Sequence, residues 1–142
     1  MSDEPAATGA VHPARAASHR SMAAVGAQDK AAWLALFAAG ACVEDPVGPS
    51  FLDKSGAGHR GRDAIAAFYD ATIAGLAAIA FDITDSFAAG QEVANVGTIT
   101  MTFPTGGTAR CEGVFVYRVD DDGLIVSLRA FWEVDRMMAT MS

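Results

Sequence analysis

A carboxylate set immediately before a proline, at the end of a short apolar run, is where this chain could do chemistry. In Val43-Glu44-Asp45-Pro46-Val47-Gly48 the proline ring restricts the backbone on both sides of the peptide bond. After a polar loop, Gly61-Arg62-Asp63-Ala64-Ile65-Ala66-Ala67-Phe68-Tyr69 opens a helix that carries an aromatic pair. A single carboxylate held over an apolar wall is a general base, and Asp45 is the residue this pattern nominates. Asp-Pro pairs also initiate turns, so the dipeptide alone leaves both roles open. Glu44 points to the opposite face of an extended segment and is expected to be structural or solvated.

The elements that would position Asp45 follow from periodicity and punctuation. Residues 1–12 read as a small polar, flexible tail. Pro13 suits the first position of an alanine-rich helix that reaches about Ala27. Asp29 is an N-cap for a second helix predicted over Lys30 to Ala39, with Trp33, Leu34, Leu36 and Phe37 as its apolar face and Gly40 as its end. Cys42 to Glu44 reads as a short strand, and a third helix is predicted from Arg62 or Asp63 to Ala78. Alternation then predicts strands over Ile79 to Ile83, Val93 to Phe103, Ala109 to Val119 and Leu124 to Glu133. Pro104-Thr105-Gly106-Gly107 and Asp120-Asp121-Asp122-Gly123 are the turns. The order predicts an α+β domain over 13–136, with three N-terminal helices packed on one face of a curved, mainly antiparallel sheet. A cone of that kind encloses a cavity suited to a small ligand. Residues 137–142, with Met137, Met138 and Met141, read as a C-terminal tail that packs on a neighbour or frays.

Composition narrows the ligand. The chain has 142 residues, 51% of them hydrophobic and 19% charged, enough for one domain with a real core. A formal net charge of −7 argues against nucleic acid, whose recognition needs clustered cations, and favours a small hydrophobic ligand. Cys42 and Cys111 lie far apart without metal-ligand spacing, so reduced, buried thiols are expected, and neither a metal nor a cofactor is called for. His59 sits in a glycine-rich loop and is expected to be exposed. The Asp120 to Asp122 run lacks a calcium-loop pattern and reads as a solvated turn. Asp3, Glu4, His12, Pro13 and Arg15 break any signal-peptide core, and no apolar run is long enough to span a membrane. The expectation is a cytoplasmic protein.

Taken together, the Val43 to Gly48 element, the Gly61 to Tyr69 helix start, and the final hairpin resemble bacterial Δ5-3-ketosteroid isomerases of the NTF2-like (SnoaL-like) superfamily. The hairpin residues that carry the likeness are Gly113-Val114-Phe115-Val116-Tyr117-Arg118-Val119, Gly123-Leu124-Ile125 and Ala130-Phe131-Trp132. The resemblance covers about residues 20 to 135 and is nearest to actinobacterial members. It implies the NTF2-like, cystatin-like cone and a site in which Asp45 removes a proton α to a steroid ketone and returns it to the γ carbon. It also implies two donors to the resulting oxyanion, a tyrosine on the first helix and a protonated aspartate on the penultimate strand, so that two aspartates in one site are held in opposite protonation states by their surroundings.

Counting from Asp45 and from Trp132 puts Ser21 and Phe115 at those two positions, so both donors are replaced. By the same register Tyr69 is the first substitute donor, Trp132 the second, and Ser21 offers a hydroxyl. Phe68 and Phe115 wall the pocket, and Tyr117, two residues after Phe115 on the same strand face, is expected at the cavity or its mouth. The resemblance thus implies a steroid isomerase with a weakened oxyanion hole. The alternative is a non-catalytic binder of steroids or other hydrophobic polycycles. Third comes an epoxide hydrolase or polyketide cyclase on the same fold, which would need an Asp-Arg-Asp relay; Arg110, Arg118 and Arg129 are the arginines on the relevant strands. A β-branched outer sheet face with Val114, Val116, Thr98 and Thr100 predicts a homodimer.

Overall fold

The computed structural model describes residues 12–142; of the tail expected over 1–12, residues 1–11 lie outside the described residues, and His12 is tied down, its Nε2 2.8 Å from the Gly90 carbonyl. Helix α1 (Pro13–Gly26) starts with proline in its first turn, and the His12 ring accepts the Ala14 N–H at 3.1 Å. Its buried side chains are small, Ala14, Ala17, Ser18 and Ser21 among them, so the helix lies close against the sheet. Helix α2 (Lys30–Leu34) is capped by the Asp29 carboxylate, which accepts the Ala32 N–H at 3.0 Å.

The second helix stops well short of Ala39, because the chain enters strand β1 (Phe37–Glu44) instead. Alanine is the best intrinsic helix former, but propensity is a weak preference that tertiary context overrides, and here strand pairing decides. Phe37, Ala41 and Val43 are completely buried, and the strand pairs in parallel with β6 (Ile125–Phe131). The Arg62 guanidinium clasps the Phe37 carbonyl, with Nε at 3.0 Å. Strand β2 (His59–Arg60) then pairs with β1 and leads into helix α3 (Arg62–Thr72). That helix also ends earlier than expected, before Gly75, and Ala78 already pairs with Thr102 in the sheet. The carbonyls of Leu76 and Ile73 at this exit accept the Gln28 side-chain amide at 2.9 and 3.4 Å.

Strands β3 (Ala78–Ala89), β4 (Glu92–Thr102), β5 (Thr108–Val119) and β6 form the antiparallel meander read from the sequence. The six-stranded mixed sheet runs β2-β1-β6-β5-β4-β3. Gly97 and Gly113 face each other in register across β4 and β5. A Cβ at Gly97 would strike the Asp82 carbonyl, and one at Gly113 the Phe131 carbonyl. Missing side chains therefore let neighbouring strands fold over this line, which curves the sheet into the wall of a cone.

The C-terminal residues form more than a tail. Helix α4 (Val134–Met138) packs Met137 with Ala109 and Cys111 in a satellite core. Thr140 Oγ1 accepts the Arg110 N–H at 2.8 Å, and the Ser142 N–H reaches the Thr108 carbonyl at 3.2 Å, so the end runs along β5 of its own sheet. No described helix is long and apolar enough to cross a membrane.

Candidate active site

Between the concave sheet face, α1, α3 and α4 lies a cavity of about 340 Å³, within the usual span for small-molecule sites. Asp45, Ser21, Phe68, Phe115, Tyr117 and Trp132 all line it. Of the substrate-facing residues nominated by the sequence, only Tyr69 is not brought here.

Asp45 follows directly on β1, where Val43 is buried inward and Glu44 points outward to accept Arg129 Nε at 2.9 Å. The Asp45-Pro46 peptide is cis, and the next N–H, of Val47, is bonded to the Ala130 carbonyl of β6 at 2.9 Å. The Val47–Ala130 bond ties the backbone just after Asp45 to the neighbouring strand. Asp45 Oδ1 accepts the indole N–H of Trp132 at 2.6 Å, a short charge-assisted bond. Burial raises the Asp45 pKa above the ordinary carboxylate value; the Trp132 bond, and more weakly the charge of His59, pull against it. A base made stronger by desolvation yet held in one orientation is what carbon acid chemistry requires.

The Trp132 N–H, nominated by the sequence as a second donor, is thus spent on the Asp45 carboxylate. Ser21 is buried on α1 and accepts the Trp33 indole N–H at 2.9 Å, while its Oγ lies 3.0 Å from the Tyr117 hydroxyl. Burial, followed by the Asp45 charge, pushes Tyr117 up to about 12 against the lowering effect of Ser21, so the phenol stays protonated. Phe115 and Phe68 are buried wall residues. Cys111 also borders the cavity; burial and then the Asp45 charge raise it to about 12, which keeps it an unreactive thiol.

The expectation for Tyr69 is corrected. Successive helical residues point about 100° apart, and with Phe68 facing the cavity Tyr69 turns toward α2, its ring 5.7 Å from that of Trp33. The residue is buried, and its pKa is raised by that burial, then by the charge of Asp29, with Lys30 opposing and Asp70 adding. His59 is not an exposed loop residue either. It lies on β2 with its ring 4.9 Å from Phe68, and its Nε2 is buried without a partner among the described residues.

Trp33 was legible only as one of several apolar residues on a helix, although a buried indole N–H always needs an acceptor. The mouth was not foreseen. Phe51 is 60% exposed, Met138 55% and Met141 50%, yet all three border the cavity, as does Leu52. An apolar Phe-Leu pair inside an otherwise polar loop was the available signal. Among the described residues Asp45 is the one carboxylate that lines the cavity and no arginine joins it, so these residues do not assemble the relay needed for epoxide opening. Among the described residues no His, Cys, Asp and Glu cluster could hold a metal ion.

A model of the SnoaL-like domain matches residues 19–128. A Δ5-3-ketosteroid isomerase from Mycobacterium sp. is 40% identical, with 93% of this chain and 98% of that one covered and a TM-score of 0.84. RV0760c from Mycobacterium tuberculosis, solved in complex with estradiol-17β-hemisuccinate, is 34% identical over 92% of this chain and 98% of its own, with a TM-score of 0.82. A computationally designed 17-OHP binder is 33% identical over the same shares, 92% and 98%, with a TM-score of 0.83. No curated protein matches the chain.

Proposed function

The chain belongs to the SnoaL-like domain family, and from that membership we propose that it binds a ketosteroid in its cavity and shifts the ligand's carbon–carbon double bond into conjugation, with Asp45 as the general base. The observation that carries the proposal is Asp45 itself, half-buried beside apolar walls, raised in basicity by desolvation and fixed by Trp132 at 2.6 Å.

The steps balance without an external oxidant or reductant. The Asp45 oxygen left free by Trp132 takes a proton from the carbon α to the ketone. The C–H electron pair moves into the ring system as the carbonyl becomes a dienolate. The same carboxyl then gives that proton to the γ carbon, the oxyanion collapses to a conjugated ketone, and Asp45 is restored. An apolar cavity favours this shuttle because little water competes for the proton in transit.

The lining is mostly apolar, with Asp45 bonded to Trp132 and the Ser21–Tyr117 hydroxyl pair among its few polar groups, whereas the exposed Phe51, Met138 and Met141 border it from outside. A ligand with its ketone inward and a hydrocarbon end outward fits that distribution. Steroid binding by RV0760c and by the designed 17-OHP binder, which share this fold, supports the ligand class.

Non-catalytic steroid binding is the second reading, favoured by Phe115, which supplies no hydrogen bond where the resemblance implies an acid. One experiment separates them. 5-Androstene-3,17-dione is titrated into wild type and Asp45→Asn while the conjugated enone is followed by absorbance. Turnover lost in the variant supports the isomerase; binding by both proteins with no enone formed selects the binder.

A further inference from the structure

The hydroxyl groups beside Asp45 form a small chain whose protons can be counted. The Trp33 indole N–H can only donate, and it donates to Ser21 Oγ at 2.9 Å. Ser21 Oγ and Tyr117 Oη are 3.0 Å apart and share one hydrogen bond. Among the described residues neither hydroxyl has any other partner. Two hydroxyl protons therefore compete for one shared bond, and one proton is left over.

The direction is set at the Trp33 end. A hydroxyl oxygen that accepts a bond becomes a better donor of its own proton, because polarisation propagates along a chain of hydrogen bonds. Ser21, fed by Trp33, donates to Tyr117, and the Tyr117 O–H is the proton left over. The chain runs from Trp33 through Ser21 to Tyr117 and ends in the cavity that Tyr117 shares with Asp45. A phenol is also a far stronger acid than a serine hydroxyl, so it is the better group to leave facing an incoming acceptor.

We propose that Tyr117 is the hydrogen-bond donor to the ligand's carbonyl oxygen, and to the oxyanion that forms there, with Trp33 and Ser21 as the positioning residues that turn its hydroxyl into the cavity. This rests on the ketosteroid reading above, and it holds whether the bound ketone is turned over or only retained. The burial that keeps Tyr117 protonated also excludes the water that would otherwise take its proton. Ser21, too short to span the cavity from α1, acts through the tyrosine.

Tyr117→Phe keeps the ring and removes the donor, and Ser21 retains its bond from Trp33. Wild type, Tyr117→Phe and Ser21→Ala are each titrated with a 3-ketosteroid and with its 3-deoxy counterpart, and the carbonyl stretch of the bound ketone is recorded by infrared difference spectroscopy. In wild type the stretch is expected at lower frequency than in hydrocarbon solvent. In Tyr117→Phe that displacement disappears, affinity for the ketone falls about tenfold, as for one lost hydrogen bond, and affinity for the deoxy compound is unchanged, which also verifies the fold. Ser21→Ala is expected to lose part of the displacement, and Ser21→Thr to restore it. Where wild type turns over, Tyr117→Phe lowers the rate about 100- to 1,000-fold. A carbonyl frequency and ketone-to-deoxy preference that are the same in wild type and Tyr117→Phe overturn the inference while leaving the ketosteroid reading intact. A wild type that binds neither steroid overturns both.

Discussion

Replacing Trp132 by Phe isolates what holds the base. The substitution keeps an aromatic wall and deletes the N–H that meets Asp45 Oδ1 at 2.6 Å. Hydrogen bonds to a charged group contribute about 1.5–3 kcal/mol, and this one acts only on the ionised form, because it lowers the Asp45 pKa against the larger raising effect of burial. Its loss makes the carboxylate harder to form. In the pH region where ionisation of Asp45 limits the rate, the variant should therefore run about 10- to 100-fold slower than wild type, the factor corresponding to that energy. The acid limb of its kcat/KM profile should stand at higher pH. On the plateau, where Asp45 is fully ionised in both proteins, the two should differ far less, since the variant's base is stronger though less well oriented. The assay is enone formation from 5-androstene-3,17-dione across the acid range, with folding at each pH checked by circular dichroism. An acid limb that stays in place, or moves to lower pH, would show that Trp132 does not tune the base.

Asp45→Asn should abolish turnover and stabilise the protein. A carboxyl whose folded pKa lies above its unfolded value binds the extra proton in the native state; its stability contribution is complete below the unfolded pKa and is lost as pH rises through the folded one. Asn carries no charge to desolvate, so at neutral pH the variant should melt higher, by about 4 °C per kcal/mol recovered, and the gain should vanish in acid; equal melting points at neutral pH would count against a desolvated carboxylate. Phe115→Asp should raise isomerase turnover, because an acid desolvated beside aromatics stays protonated and can donate to the oxyanion; no gain in a folded variant would place residue 115 away from the ketone. Ser21→Tyr, which the resemblance alone would recommend, should lose stability instead, since Ser21 is 1% exposed between Trp33 and Tyr117 and overpacking costs about 1–3 kcal/mol; thermal melts decide it. The outer sheet face, with Val114, Val116 and the 42% exposed Phe131, should mediate a homodimer. Sedimentation at micromolar concentration should show two copies for wild type and one for Val116→Asp.

The meander was legible because its strands alternate and its turns carry glycine, and Asp45 was legible because a carboxylate before proline ends an apolar run. The β1 start at Phe37 was not. Trp33, Leu34, Leu36 and Phe37 suit a helical face, and only the parallel partner 88 positions later at Ile125, which that stretch cannot reveal, pulls Phe37 into the sheet. The parallel pairing itself was hidden for the same reason. At the site, register placed Phe68, Phe115, Tyr117 and Trp132 together, but it could not say which polar atom meets which. Trp132 faces the base and Tyr69 faces away because of helix phase and strand curvature, and the Gly97–Gly113 line that sets this curvature shows only once the strands are paired.

Transfer of the proton itself tests the central claim most directly. A 3-ketosteroid deuterated at the carbon α to the ketone is incubated with the protein in ordinary water, and the product is examined by mass spectrometry and NMR. If Asp45 carries the proton across an apolar cavity, a substantial share of the deuterium should appear at the γ carbon of the conjugated product, and Asp45→Asn should form no product. A steroid that binds and is recovered unchanged, or a product formed equally by Asp45→Asn, would contradict it.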